Sequence, residues 1–129
     1  EILSEIRVPP VPLRTGSFYL KYAVRKSIDF PVLGAAAAVT LEAGNGKCTD
    51  ARIVIGGVGS APVIAREAQE AMKGKELSDS VLTEIGDLAL KSVHPMTHMK
   101  FSGRYKRKIV PVFVKRAIKG ALTLAREGK

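Results

Sequence analysis

The sequence is poor in the residues that mark several common protein classes. It contains one cysteine, Cys48, and no tryptophan among its 129 residues. A single thiol excludes an internal disulfide. It also excludes an iron–sulfur cluster held by this chain alone, because such clusters usually need four thiolates. A reducing compartment fits this composition, and we therefore expect a cytoplasmic protein.

Long hydrophobic runs and targeting segments are also missing. No apolar run approaches the roughly 18 residues that a membrane-spanning helix requires. The start, EILSEIRVPP, has neither the basic nor the apolar segment of a signal peptide. It also lacks an initiator methionine, so we expect a processed product or a piece of a longer polypeptide.

Hydrophobic residues make up 46% and charged residues 26% of the chain, which is typical of one globular domain covering residues 1–129.

Acidic residues are scarce at the C-terminal end. Of the net charge of +9, residues 101–129 carry nine Lys or Arg and one Glu. A basic helix there either binds nucleic acid or an acidic partner, or has a solvated outer face.

The first 25 residues give two weak structural signals. Residues 2–8 alternate loosely and end at two prolines, which indicates an edge strand. Residues 17–25 are ambiguous, and a short helix is one interpretation, because Ser17 is a possible N-cap and Phe18 and Tyr22 lie four apart.

A hairpin is the strongest structural signal. Two segments rich in Ala, Val and Ile, 33–42 and 48–56, flank the pair Asn45-Gly46. Asn-Gly favours a tight reversal because both residues tolerate positive φ. The small side chains of 35–38 allow a bulky element to pack close to that strand.

Three helices are predicted after the hairpin. The first covers 63–73 and stops at Gly74, and the second follows the N-cap Ser78. The third starts near Ser102 or Gly103, and Pro111 should kink or break it. Its predicted apolar stripe consists of Tyr105, Ile109, Phe113, Ala117, Ala121 and Leu124. Strands followed by helices predict an α+β fold, an antiparallel sheet with three helices packed on one face.

Most signatures of catalysis are weak. His94 and His98 have a metal-chelating spacing, but Pro95 disfavours a helix there and no acidic residue or cysteine is near. The run 56–60, GGVGS, resembles a phosphate loop but lacks the Lys-Ser/Thr that follows in a P-loop, so we expect a structural turn. Cys48 has no predicted base beside it.

A group of charges precedes the Ala-rich strand. Lys21 and Arg25 would share a face if this segment were helical, and Lys26 and Asp29 follow closely. The residues leave two interpretations open. The group either binds an anion or forms an ordinary structural salt bridge.

The order of motifs resembles the C-terminal domain of the FAD-binding flavoprotein subunit of molybdenum hydroxylases, the family of carbon monoxide dehydrogenase, xanthine dehydrogenase and 4-hydroxybenzoyl-CoA reductase. The motifs that carry the resemblance are FYLKY with the charges after it, CTDARIVIGGVGSAPVIAREAQEAMKGK, and SGRYKRKIVPVFVKRAI. The opening EILSEIRVP is similar to the strand with which that domain begins.

The resemblance implies a role in electron transfer. In this family an iron–sulfur subunit relays electrons from a molybdopterin subunit, and the flavoprotein passes them through FAD to an acceptor. Most FAD contacts come from an N-terminal FAD-binding domain, whereas a lysine matching Lys21 contacts the flavin. Tyr22, Arg25, Lys26 and Asp29 belong to the same motif, and the basic residues are implied to favour the anionic reduced flavin.

The chain departs from the family pattern just before the last helix. Where the family reads P-I-x-D-x-R-x-S, this chain has PMTHMKFS, so His98 replaces the acid and Lys100 the arginine. Two other functions remain to be separated from the flavin role: a scaffold domain that contacts the partner subunits without touching flavin, and a nucleic-acid-binding module that uses the basic last helix.

Overall fold

The computed structural model describes residues 2–25, 29–97 and 101–127. Four strands come first: β1 (Thr15–Tyr22), β2 (Leu33–Leu41), β3 (Cys48–Gly56) and β4 (Val63–Ile64). Three helices follow: α1 (Arg66–Met72), α2 (Asp79–Lys91) and α3 (Gly103–Glu127). The strands form one antiparallel sheet in the order β1-β2-β3-β4. This α+β architecture confirms the predicted fold class.

The core lies between the sheet and the helices. Along β2, Leu33, Ala35, Ala37 and Val39 are buried, and the residues between them from 36 onward are only half-buried. This period of two is expected of a strand with one covered face. Helix α3 contacts β1 and β2, α1 contacts β3, and α2 packs against α1 and α3.

The hairpin prediction is confirmed, although the turn differs in detail. β2 and β3 pair in antiparallel register with a bulge at Thr40/Leu41. In the connecting loop, Gly44 and Gly46 adopt positive φ, at 97° and 67°, whereas Asn45 does not. Asn45 instead accepts a hydrogen bond from the Lys47 backbone N–H at 2.9 Å. Two glycines therefore reverse the chain.

The first strand prediction is wrong. Residues 2–14 form neither helix nor strand. The strand that forms the sheet edge is β1, and it occupies the segment for which a short helix was considered. Spacing could not decide this, because Phe18 and Tyr22 share a face in a strand as well as in a helix. Pairing with β2 along the whole of β1 settles the conformation.

The helices begin and end close to the predicted positions. α1 starts three residues later than predicted, because Val63 and Ile64 pair with β3. Gly74 has φ 73°, as expected of a residue that ends a helix, and Ser78 caps α2 by accepting a hydrogen bond from the Val81 N–H. α3 continues through Pro111 without the predicted break.

The buried face of α3 is rotated from the predicted stripe. Ala117 and Ala121 are buried as predicted, but Tyr105 is 40% and Leu124 43% exposed. The apolar stripe predicted from the sequence contains mainly aromatic and large aliphatic residues. Close contact between the helix and the sheet instead requires smaller residues. The buried residues are Lys106, Val110, Val114, Ala117, Ile118, Ala121, Leu122 and Ala125.

Candidate functional site

A cavity of about 560 Å³ lies where three loops meet the start of α3. The β1–β2 loop, the glycine turn after β3 and the segment before α3 form its walls. Among the described residues, most of the lining is apolar, and two cations and one carboxylate interrupt it. The residues that matter below are Arg25, Asp29, Phe30, Val58, Phe101 and Lys106.

Asp29 organises the β1–β2 loop. Its backbone carbonyl accepts a hydrogen bond from the Lys21 Nζ at 2.6 Å, and its carboxylate accepts one from the Arg25 backbone N–H at 3.1 Å. The Arg25 Nε lies 3.7 Å from the same carboxylate. The salt bridge considered from the sequence therefore forms, but the Arg25 side chain is 70% exposed, so this pair is a weak one.

The predicted site residues do not form a single cluster. Arg25 and Asp29 line the cavity, whereas Lys21 lies exposed on β1 and not on a helical face shared with Arg25. Tyr22 is half-buried on the helix side of β1. Lys26 falls outside the described residues. Of the predicted residues that the structure describes, Arg25 and Asp29 therefore line the cavity, and Lys21 and Tyr22 do not.

Tyr22 anchors the edge of the cavity through an aromatic cluster. Its ring lies 5.8 Å from those of Phe101 and Phe113, and its hydroxyl is 3.4 Å from that of Tyr105. The Tyr105 hydrogen bond, with a smaller contribution from burial, raises the pKa of Tyr22. These contacts tie β1 to the segment before α3, so Tyr22 sets the position of the Phe101 wall.

Lys106 is the site residue that the sequence did not reveal. It is only 4% exposed, lines the cavity, and its Nζ lies 3.0 Å from the Gly57 carbonyl oxygen, which accepts the hydrogen bond. A lysine in a basic helix is expected to face solvent. The available signal was its four-residue spacing from Val110 and Val114, which places all three on the buried face.

The glycine turn has a structural explanation. Gly57 adopts φ 77°, and a Cβ there would lie 2.8 Å from the Val32 carbonyl oxygen. The turn leads into β4 and not into a helix N-terminus, so it lacks the geometry of a phosphate loop. Gly57 and Gly59 nonetheless form part of the cavity wall.

The other chemical candidates are inert in the described part of the chain. His94 is exposed, His98 lies outside the described residues, and the described residues contain no group of three metal ligands. Burial, followed by the nearby charge of Asp50, raises the pKa of the Cys48 thiol to about 11. A protonated, buried thiol is a poor nucleophile.

The basic helix is partly neutralised within the domain. Lys115 and Lys119 both bind Asp79 at the start of α2, and the Lys115 Nζ lies 2.6 Å from the Asp79 Oδ2. Arg104, Lys108 and other cations of α3 remain exposed. Two lysines of α3 thus belong to a helix-to-helix contact and not to a continuous nucleic-acid surface.

The comparisons with known proteins agree on one family. The family described as CO dehydrogenase flavoprotein C-terminal domain matches residues 18–121. The alpha subunit of the 6-hydroxypseudooxynicotine dehydrogenase complex of Paenarthrobacter nicotinovorans is 30% identical over 129 residues, which cover 100% of this chain and 43% of that protein. The xanthine dehydrogenase FAD-binding subunit of Escherichia coli O157:H7 is 27% identical over 126 residues, 97% of this chain and 42% of that protein.

A solved structure shares the fold. Quinoline 2-oxidoreductase from Pseudomonas putida 86 superposes with a TM-score of 0.80 at 26% identity, covering 90% of this chain and 39% of that one. The chain therefore spans about two fifths of the length of the relatives it matches. Within the described ranges, no helix has the length and apolar character needed to span a membrane.

Proposed function

The chain belongs to the CO dehydrogenase flavoprotein C-terminal domain family, and from this we propose that it serves as the C-terminal domain of an FAD-binding electron-transfer subunit in a molybdenum hydroxylase complex. The observation that carries the proposal is the cavity, because residues from all three resemblance motifs line it: Arg25, Val58 and Lys106. A cytoplasmic location accompanies the proposal.

The residues of the cavity fit a flavin ring. Its volume of about 560 Å³ lies in the range of small-molecule sites, roughly 300–1,000 Å³. Phe30, Val58 and Phe101 supply apolar surface for a flat ring system, while Arg25 and Lys106 supply cations for its electron-rich edge. The rest of the FAD molecule would be held by an N-terminal FAD-binding domain.

Within such a subunit, this chain would cover and orient the flavin. FAD, when bound, accepts electrons from the iron–sulfur subunit, which receives them from the molybdopterin subunit, and releases them to an external acceptor. By resemblance to the family, Lys21 would contact the flavin from outside the lining of this cavity, and Asp29 would hold Lys21 and Arg25 in place through the bonds described above. Arg25 and Lys26 would favour the negatively charged reduced form through their charge.

The first experiment asks whether flavin binds. We expect the natural polypeptide in which residues 1–129 occur to purify as a yellow protein with a flavin absorbance spectrum. Residues 1–129 alone should bind little FAD, because one wall of a site gives few of its contacts. A well-folded longer polypeptide that remains colourless after incubation with FAD would contradict the proposal.

The second experiment separates the flavin role from a scaffold role. Lys21→Ala should weaken flavin binding and slow flavin reduction in the natural polypeptide, because the hydrogen bond from Lys21 to the carbonyl of the cavity residue Asp29 is lost. Lys47→Ala is the matched control, since Lys47 is an exposed lysine in the loop at the opposite end of β2. Unchanged flavin affinity and reduction kinetics in Lys21→Ala would favour a scaffold domain.

A further inference from the structure

We propose that Lys106 is a ligand-binding residue whose buried ammonium group receives the electron-rich carbonyl edge of the ring system in the cavity. This inference rests on the proposed function, which makes that ring the flavin. It adds a residue outside the charged motif of the β1–β2 loop.

Burying the ammonium group of Lys106 destabilises the fold unless a partner or a ligand interacts with its charge. A buried ammonium group loses its hydration at a large cost in free energy unless hydrogen bonds and a counter-charge replace the lost water. Lys106 is 4% exposed and, among the described residues, donates one hydrogen bond, to the Gly57 carbonyl oxygen at 3.0 Å. An ammonium group has three donors, so one neutral partner leaves capacity for more.

The surroundings of Lys106 lack a compensating carboxylate among the described residues. None of the ion pairs within residues 2–25, 29–97 and 101–127 includes Lys106. The acid that lines the same cavity is Asp29, and its carboxylate bonds to Arg25. Two cations and one engaged carboxylate give the cavity a surplus of positive charge.

Helix α3 increases this surplus. Lys106 lies in the first turns of a helix that begins at Gly103, and the first turn contains no acidic residue. The N-terminal end of a helix carries partial positive charge and favours anions nearby. A lysine is disfavoured there and gains nothing from the helix. Its position is explained by an electron-rich ligand in the cavity.

The carbonyl of Gly57 fixes where the ammonium group sits. Gly57 is held at φ 77° against the Val32 backbone, so its carbonyl oxygen is a rigid acceptor. The remaining donors of Lys106 are consequently held in place at the cavity wall. An ordered cation of this kind binds a planar carbonyl edge with little loss of side-chain entropy.

The test uses the natural polypeptide with FAD and a set of matched variants. Lys106→Met removes the charge and the donors, Lys106→Gln keeps a donor for Gly57, and Lys106→Arg keeps the charge. Lys108→Gln is the control, because it removes one exposed lysine from the same helix and changes the net charge equally. Flavin affinity is measured by fluorescence, and sulfite affinity by bleaching of the flavin absorbance. Sulfite forms an anionic adduct and so reports positive charge near the ring.

We expect Lys106→Met and Lys106→Gln to weaken flavin binding by about 10- to 100-fold, the effect of losing a hydrogen bond to a charged group. Sulfite affinity should fall in both. Lys106→Arg should retain most of the flavin affinity and of the sulfite affinity. Lys108→Gln should have the same two affinities as the wild type. If the role of Lys106 were purely structural, the substitutions would lower the melting temperature. The ratio of sulfite affinity to flavin affinity would then stay the same as in the wild type.

The outcomes distinguish the two proposals. If the wild type binds flavin and Lys106→Gln binds flavin and sulfite equally well, the role of Lys106 is wrong and the flavin function stands. If the folded wild type binds no flavin, both proposals fail. If Lys106→Met does not fold, Lys106→Gln decides, because its amide can still donate to the Gly57 carbonyl.

Discussion

Towards its C-terminus, α3 lies with its backbone against the sheet, whereas near its start it borders a cavity. A Cβ at Gly16 of β1 would overlap with the Ala121 carbonyl oxygen and the Ala125 nitrogen. At the other end, the side chains of Phe101 and Lys106 border a cavity of about 560 Å³. We call these regions the closed end and the open end of α3.

The difference shows two reasons for burying a residue. At the closed end, Ala117, Ala121 and Ala125 are small because the strand and the helix are in contact. Tight packing of this kind stabilises the fold and leaves no volume for a ligand. At the open end, Lys106 is buried although it carries a charge, which is a common property of ligand sites and not of packing.

The largest effect should come from Gly16→Val, which would force the closed end apart. The new side chain meets backbone atoms of α3, which cannot move aside as a flexible side chain would. We expect the free energy of unfolding to fall by about 3–5 kcal/mol, at the upper end of overpacking. Denaturant titration followed by circular dichroism measures it.

The control for Gly16→Val is Ser17→Val. Ser17 is the next residue of β1, lies on the opposite face of the sheet and is exposed. It should change the free energy of unfolding by less than about 0.5 kcal/mol, as surface substitutions usually do. Equal stability of the two variants would show that α3 does not contact β1 as closely as the structure indicates.

The second effect, from Gly57→Ala, tests the open end. A non-glycine residue at φ 77° costs about 1–2 kcal/mol, and the contact with the Val32 carbonyl oxygen adds to this. We expect a total loss of about 2–4 kcal/mol in the free energy of unfolding. Flavin affinity of the natural polypeptide should fall as well, since the carbonyl that holds Lys106 would shift.

Gly56→Ala is the matched control for Gly57→Ala. A Cβ at Gly56 has no atom within 4 Å, and φ there is not positive. The substitution should be neutral or slightly stabilising, by up to about 1 kcal/mol, because it restricts the unfolded chain. A loss as large as that of Gly57→Ala would contradict the explanation from φ and close contact.

The two ends also differ in how far the sequence predicted them. The hairpin and the starts of α2 and α3 were predicted correctly, because turn residues, caps and periodicity act locally. The closed face of α3 was predicted in part, with Ala117 and Ala121 but without Ala125, since the choice of small residues there depends on contact with β1. The segment 17–25 was ambiguous for a similar reason, because β1 becomes a strand by pairing with β2.

The candidate site was predicted in part. The motif identified the β1–β2 loop, and Arg25 and Asp29 do line the cavity. Lys106 lies 77 positions beyond Asp29, and only the fold brings both to one cavity. Its four-residue spacing from Val110 and Val114 separates it from the exposed lysine at 108, but only the structure shows that it borders a cavity.

A third, smaller effect concerns Cys48, which lies buried in β3. Its pKa of about 11, raised by burial and by Asp50 from 9.0, keeps the thiol protonated at pH 8. The thiolate fraction should therefore be roughly 100-fold lower in the folded than in the unfolded protein. Alkylation by iodoacetamide, followed by mass spectrometry, should be slower by at least that factor until denaturant is added.

The same shift makes stability depend on pH. Because the folded pKa lies above the unfolded one, the contribution is complete below about pH 9 and is lost as the pH rises towards 11. Cys48→Ala should cost about 1 kcal/mol at neutral pH, the effect of a small deletion in the core, and should remove this alkaline dependence. Rapid alkylation of the native protein would show that the thiol is accessible.

The smallest effect should come from Asp79→Asn, which loosens the contact between α2 and α3 at the surface. Hydrogen bonds from Lys115 and then Lys119 lower the pKa of Asp79 from 3.8 to about 2. Since the folded pKa is lowered, the stabilisation is present above about pH 4 and is lost as the pH falls through 2. The Asp79 side chain is 67% exposed, so we expect only a small decrease in melting temperature.

Asp87→Asn is the control, because Asp87 is an exposed acid of the same helix that takes part in none of the ion pairs among the described residues. The decrease caused by Asp79→Asn should exceed that of the control at pH 7, shrink towards pH 2, and shrink in high salt, which screens exposed charges. A decrease that persists unchanged in salt would mean that Asp79 acts through its hydrogen bonds to α3 and not through its charge. In that case the contact between α2 and α3 at Asp79 would stabilise the fold through short-range bonds, as the packing at the closed end does.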